Sequence, residues 1–280
     1  MTPPHRRRRS STRLGGGLAA AVGALAVALM VVQPRRLRLR EERLALPGWP
    51  RDLDGLRIAV LGDLHAGGPW VGLAKVREVV SRTRAARPDL VLLLGDHLAD
   101  VGLGRHLPVA PVAAELAGLR RDGAPVVGVL GNHDWYAGGE QVRDALAAVG
   151  LPVLEDSAVP VLDGRLWVAG VGDLWERTPS VATALAGVPA GAAVVLLTHN
   201  PDCVVDVPGQ VQLVLAGHTH GGQVAVRGRP LHRVSERTGN RWRRGWYAGA
   251  RMYVTSGVGS SVVPLRSVVP EVVVLELRTQ

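Results

Sequence analysis

The sequence predicts an α/β domain over residues 55–280, preceded by one N-terminal hydrophobic helix. Two observations carry the α/β reading. From Leu56 onward, short apolar runs alternate with helix-length stretches, and the runs close on polar tips rich in Gly, Asp, Asn and His. Arg57–Leu61 reads as a strand that runs into Gly62-Asp63-Leu64-His65. Residues 72–86 read as a helix, ended by Pro88 because proline cannot continue one. Leu90–Leu94 is a buried strand followed by Gly95-Asp96. Residues 109–121 are a second helix, and Val126–Leu130 is a strand followed by Gly131-Asn132-His133-Asp134. Residues 139–149 form a third helix, closed by Gly150. This alternation predicts parallel pairing in the first half.

The second half is richer in strands. Val159–Leu162 and Leu166–Val171 read as a hairpin across Asp163-Gly164. Residues 178–187 are a candidate helix. Val194–Leu197 and Leu213–Ala216 are buried strands, and Val224–Val226, Met252–Thr255 and Val272–Leu277 complete the set.

The formal charge of +9 suggests nucleic acid until it is located. Residues 1–43 hold ten Arg and two Glu, so the remaining 237 residues carry only +1. The folded part is nearly neutral, and no nucleic-acid partner is expected. The single cysteine, Cys203, excludes an intramolecular disulfide and a CxxC metal site.

Residues 1–13 read as a basic tail with Arg6 to Arg9. Leu14 to Pro34 then carries no charge over 21 residues, enough to cross a bilayer as a helix. A retained membrane anchor over 14–34 is the leading reading. A secretory signal cleaved near Ala26-Val27-Ala28 and an untargeted basic tail are the alternatives. Residues 35–54, with Arg35, Arg36, Arg38, Arg40 and Arg43 and then Pro47, Gly48 and Pro50, read as a basic linker. Five arginines on each side of the apolar segment give no orientation, so an extracytoplasmic domain is one of the placements an anchor allows.

Five strands end in clusters of polar residues: Asp63/His65, Asp96, Asn132/His133/Asp134, His199 and His218/His220. In open α/β sheets, ligands sit outside the carboxyl ends of the strands. Side chains two apart on an extended backbone share a side, so Asp63 with His65, and His218 with His220, can each reach one ion together. Gly62, Gly95, Gly131, Gly217, Gly221 and Gly222 permit the tight turns such tips need. Oxygen and imidazole ligands without thiolate suit Mn, Fe or Zn. Asp63, His65, Asp96, Asn132, His199, His218 and His220 are too many ligands for one ion and suit two, an arrangement that serves in-line phosphoryl displacement. A lone Asp after a strand is ordinarily a turn residue or cap, and a lone His ordinarily a hydrogen-bonded core residue. That covers His5, His97, His106 and His232 but not five clusters at five strand ends.

On these motifs the chain resembles the calcineurin-like metallophosphoesterase superfamily, most of all its bacterial membrane-associated, phosphodiesterase-like branch. Asp63-Leu64-His65, Gly95-Asp96, Gly131-Asn132-His133-Asp134, Thr198-His199-Asn200-Pro201 and Gly217-His218-Thr219-His220-Gly221-Gly222-Gln223 stand in the family's order across residues 55–280. Ser256-Gly257-Val258-Gly259 and Pro264-Leu265-Arg266 look like signatures of the branch. The resemblance implies a four-layer α/β/β/α sandwich. It implies a first metal held by Asp63, His65, Asp96 and His220, and a second by Asp96, Asn132, His199 and His218, with Asp96 bridging. It casts His133 as the group that assists the leaving oxygen, and Asp134 as the carboxylate that orients His133. One departure is Ala99, where the family often has an acidic residue three positions after the bridge.

The implied activity is hydrolysis of phosphodiesters or phosphomonoesters by hydroxide formed at two divalent ions. An anchor would favour envelope or lipid-linked substrates. A metal-binding scaffold of the same fold without catalysis, and a nuclease using the Arg run as an arm, are the competing readings. Arg241, Trp242, Arg243, Arg244, Trp246 and Tyr247 make a basic–aromatic loop that could meet substrate or merely pack. Trp70, Trp135 and Tyr136 follow metal motifs and are candidates for the pocket wall.

Overall fold

The computed structural model describes residues 10–100, 106–120, 122–226, 229–231, 237–239, 241–261 and 264–280. Helix α1 (Ser10–Val27) passes through a π-helical turn (Ala28–Val32) into the short α2 (Gln33–Arg35). There follow β1 (Arg38–Leu46), β2 (Arg57–Leu61), α3 (Leu73–Ala85), β3 (Leu90–Leu93), α4 (Val109–Leu116), β4 (Val126–Gly128), α5 (Asn132–Tyr136) and α6 (Gly139–Ala148). The second half contains β5 (Ser157–Val161), β6 (Leu166–Gly170), α7 (Val181–Leu185), β7 (Val194–Thr198) and β8 (Leu213–Ala216). It ends with β9 (Ala225–Val226), β10 (Arg229–Pro230), β11 (Gly245–Tyr247), β12 (Met252–Val254) and β13 (Glu271–Thr279).

Two sheets stack. The first has the order β1-β13-β2-β3-β4 and the second β11-β12-β8-β7-β6-β5. β2, β3 and β4 pair in parallel, as do β6, β7, β8 and β12. β5 and β6 form the predicted antiparallel pair. Between the sheets, Ile58, Val60, Leu90 and Leu92 pack in one core with Val168, Val195, Leu197, Leu213 and Leu215. Their sequence neighbours Ala59, Leu61, Val91 and Leu93 point the other way, toward Val76 and Val79 of α3, Leu116 of α4 and Leu146 of α6. Val194, Leu196, Val214 and Met252 pack in a third core with Ala184 and Leu185 of α7. Strands buried on both faces need apolar residues at every position, which is why these runs are continuous rather than alternating. The result is helix, sheet, sheet, helix: the expected four layers.

One expectation is corrected. Residues 35–54 are not a linker. Arg38 to Leu46 pairs with Glu271 to Thr279 over nine residues, and Trp49 and Leu53 are buried. An edge strand tolerates charge on its exposed positions, and that charge hides it in the sequence. Among the described residues, no helix is long and apolar enough to cross a membrane; the helical run over 14–34 changes from α to π after Val27. The basic run Arg6 to Arg9 lies outside the described residues.

If β1 belongs to the domain, Leu46→Ala empties a fully buried position of the central core. Urea unfolding should register a loss of about 2–5 kcal/mol. A linker residue would register none.

Candidate metal centre

β2, β3, β4, β7 and β8 all deliver their carboxyl ends to one place, because they run in the same direction within their sheets. Asp63 and His65 follow β2, Asp96 follows β3 and Asn132 opens α5 after β4. His199 follows β7, and His218 and His220 follow β8. Asp63, His65, Asp96 and His220 each offer one ligand atom, and those atoms lie within 4.8 Å of one another. His65 Nε2 and His220 Nε2 are 3.1 Å apart. Asp96 Oδ2 stands 3.4 Å from His65 Nε2 on one side and 3.3 Å from His199 Nε2 on the other. His199 Nε2 is in turn 3.2 Å from His218 Nδ1. One carboxylate oxygen thus faces an imidazole from each of two groups.

The donors fit cations. Leu94 O lies 2.7 Å from His199 Nδ1 and carries no proton, so Nδ1 donates and Nε2 is left to face Asp96. Gly259 O, 3.1 Å from His220 Nδ1, turns His220 Nε2 inward in the same way. Such backbone acceptors behind ligating imidazoles fix their tautomer. Asp63 Oδ2 and Asn132 Oδ1 are buried without a hydrogen-bond partner. Oxygens and nitrogens crowded this closely, out of water, require positive charge among them.

The ligands do not sit on extended backbone, contrary to the sequence reading. Asp63, His65, Asp96, His218 and His220 all have φ between 48° and 69°. The side chains converge because each strand tip curls through the left-handed region, at roughly 1–3 kcal/mol per residue. The two sheets behind the tips hold that strain in place. Gly131 permits the closest approach. A Cβ there would lie 2.3 Å from Asp96 Oδ1 and 2.6 Å from His199.

His133 is half-buried beside the cluster. Its ring centroid is 4.8 Å from that of His65 and 5.5 Å from that of Tyr136. Its backbone N–H donates to Asp96 Oδ1 at 2.9 Å, and its Nδ1 has no partner. Asp134 does not orient it. Asp134 accepts from His97 N, Leu98 N, Gly131 N and His97 Nδ1, at 2.8–3.1 Å, and so ties the loop after β3 to the start of α5. A carboxylate at the third position of a helix reaches back to the turn before it, which gives Asp134 a structural partner. His97, read above as a core histidine, is that partner.

The remaining candidates separate. Tyr136 and Trp175 are exposed and stand against His133 and His218. Trp70 instead donates to Pro264 O and lies under Arg35, and Trp135 packs on Gly139 under Arg177. Trp242 is buried in the outer core with Tyr247 beside it, so that loop packs. Sequence reasoning placed Arg266 in a branch signature without a role; it is a fully buried guanidinium whose Nη1 is 3.3 Å from His220 Nδ1. An arginine between Leu and Ser carries no local sign of burial.

Electrostatics follow from burial and the two carboxylates. Burial lowers His65 to about 4 and His218 to about 3, and takes His220 well below its ordinary value. Burial raises Asp63 to about 7. Burial also opposes protonation of His199, but the adjacent Asp96 outweighs it and raises His199 to about 10. Burial would likewise raise Asp96, yet His199 holds it well below the carboxylate range. Without an ion, a proton on His199 stands in for the cation.

This gives a signed pH dependence for the ion-stripped protein. A histidine raised from its ordinary value near 6.5 to about 10 contributes stability that is full below 6.5 and lost as pH rises through 10. Between pH 7.5 and 9.5, Asp96 and the lowered histidines have finished titrating, and Asp63, raised to about 7, completes its titration at the low end with a loss of the same sign. Stripped protein should therefore lose thermal stability across that window. Protein saturated with Mn²⁺ should not, because the ion replaces the proton. Parallel melting curves check it.

Comparison with known proteins covers the same stretch of chain. Residues 56–222 match the family described as calcineurin-like phosphoesterase. A Danio rerio "transmembrane protein with metallophosphoesterase domain" is 32% identical over 243 residues, 78% of this chain and 52% of that protein. The chain therefore matches only about half of that relative's length. Phosphodiesterase YaeI of Escherichia coli (strain K12) is 34% identical over 236 residues, 79% of this chain and 82% of the relative. The uncharacterized metallophosphoesterase YkuE of Bacillus subtilis (strain 168) is 27% identical over 263 residues, covering 89% and 88%. The family match runs from the first catalytic strand through the last histidine motif, the stretch that builds the buried Asp–His cluster; the chain belongs to the calcineurin-like phosphoesterase family and is a metal-dependent phosphoric ester hydrolase.

Proposed function

We propose that two divalent ions sit astride Asp96 and that the enzyme hydrolyses phosphodiesters, with phosphomonoesters as the alternative class. The observation that carries the two-ion reading is the placement of Asp96 Oδ2 at nearly equal distance from His65 Nε2 and His199 Nε2. Asp63, His65, Asp96 and His220 would hold the first ion. Asp96, Asn132, His199 and His218 would hold the second. Mn, Fe and Zn all suit this donor set. Ions at such a site neutralise charge on phosphoryl oxygens and make water nucleophilic at neutral pH. The similarity to a relative named a phosphodiesterase supports the diester class.

The chain's own residues supply the rest. His133, partnerless at Nδ1 and held by its backbone on Asp96, is placed to give a proton to the departing oxygen. Tyr136 and Trp175 wall the approach and exclude water from one side of each imidazole they touch. A substrate presented at a lipid or envelope surface is the favoured setting. Val22, Leu25, Val27, Met30 and Val32 of the N-terminal helical run are exposed, and Leu29 O accepts from Arg266 N beside the centre. An exposed apolar helical run followed by arginines suits contact with a bilayer.

The test strips the full-length protein with chelator and restores Mn²⁺, Zn²⁺ or Fe²⁺, with a chromogenic diester and a monoester as substrates. His133→Gln should lower kcat by about 10²–10⁴-fold with ion stoichiometry unchanged. Asp96→Asn should abolish turnover and ion pairing together. Two bound ions with no turnover on any ester would favour the non-catalytic scaffold.

A further inference from the structure

The Arg266 side chain is fully buried, and among the described residues all its bonded acceptors are backbone carbonyls. Its Nε donates to Val268 O at 2.9 Å, and one Nη2 hydrogen bond reaches Gly257 O at 2.9 Å. The remaining bonds reach Ser256 O and Gly259 O. Gly259 O is also the acceptor that fixes the His220 tautomer. Three of these four bonds thus go from the planar fork to one loop, Ser256 to Gly259, and the fork also lies against the edge of one metal ligand, with Nη1 3.3 Å from His220 Nδ1.

That loop lies directly behind the other ligands of the same ion. Gly259 N donates to Asp63 O at 2.6 Å. A Cβ at Gly257, where φ is +66°, would lie 2.5 Å from Asp63 Cβ, and one at Gly259 would lie 2.7 Å from His65 Cβ. The loop therefore has no room to shift without moving Asp63 and His65. Among the described residues, no hydrogen bond ties Arg266 to His199, His218 or Asn132: His199 is backed by Leu94 O, Asn132 opens α5, and His218 N donates to Asp63 Oδ1 at 2.8 Å. On its other side, Arg266 N donates to Leu29 O, and Gln33 Nε2 donates to Ser267 O.

We propose that Arg266 is a positioning residue for the first ion only. It acts through His220 and through the Ser256–Gly259 loop that backs Asp63 and His65. The inference rests on the reading that Asp63, His65, Asp96 and His220 hold that ion. It makes the two ion positions unequal in their support, and it places the end of the N-terminal helical run one hydrogen bond from Arg266.

The test uses the full chain with Mn²⁺ as probe. Stepwise calorimetry is run on the unmodified protein, on Arg266→Lys and on Arg266→Met. Lysine keeps the charge but not the fork, so it should not rescue. Both variants should weaken one ion step by about 10–100-fold, the range for support behind a metal ligand, and leave the other step unchanged. A Lys variant that binds both ions like the unmodified protein would overturn the proposal. So would an equal loss at both steps together with a lower ion-free melting temperature, which marks a general structural role. Hydrogen exchange on the unmodified protein decides the matter even if the variants do not fold. Filling the first position should protect the amides of Gly257, Gly259 and Arg266, and protection confined to residues 62–66, 95–97 and 217–221 would contradict it. An unmodified protein that binds no Mn²⁺ would instead sink the metal-centre reading itself.

Discussion

A carboxylate oxygen with an imidazole nitrogen on each side is the constraint on which the structure turns. Asp96 Oδ2 lies 3.4 Å from His65 and 3.3 Å from His199, all three fully or almost fully out of water. Buried groups of this kind are costly unless charge is balanced nearby. In the ion-free state a proton on His199 performs that balance, and the lowered values of His65, His218 and His220 show that the centre has room for little more positive charge in that form. A bound cation would meet the same oxygens and nitrogens with positive charge. The cluster is thus a binding site whose free energy is completed by its ligand.

The sandwich exists to hold that cluster still. Parallel strands in both sheets send five tips to one edge, and apolar side chains on both faces of each strand leave no freedom to slide. This over-determination is what allows five ligand residues to keep left-handed backbone angles. The outer supports differ by position. His199 is set by a strand-end carbonyl, whereas His220 depends on Gly259 O and the buried fork of Arg266. Asp134, for its part, locks the loop that carries Asp96 to the helix that carries Asn132 and His133.

Most of this was legible in residue order, and the exceptions have physical causes. β2, β3 and β8 read directly, because a strand buried on both faces must be an unbroken apolar run. The cluster read directly because Asp, Asn and His after five such runs have no common structural explanation. β1 did not read as a strand. Its partner β13 lies more than 200 residues away, and its charged edge resembles a linker. The role of Asp134 was misjudged because spacing puts it next to His133 while the helical turn sends its carboxylate back to His97. Pro264-Leu265-Arg266 and Ser256-Gly257-Val258-Gly259 read as signatures, but nothing in either run announces that the first folds back to bury its guanidinium on carbonyls of the second.

The central claim is that one Asp96 carboxylate is shared by two ions. Electron paramagnetic resonance of the full-length protein titrated with Mn²⁺ tests it most directly. Two ions bridged by Asp96 should give a multiline, exchange-coupled spectrum at saturation, and Asp96→Asn should lose it. A six-line spectrum of isolated Mn²⁺ that persists at saturation would contradict the shared bridge.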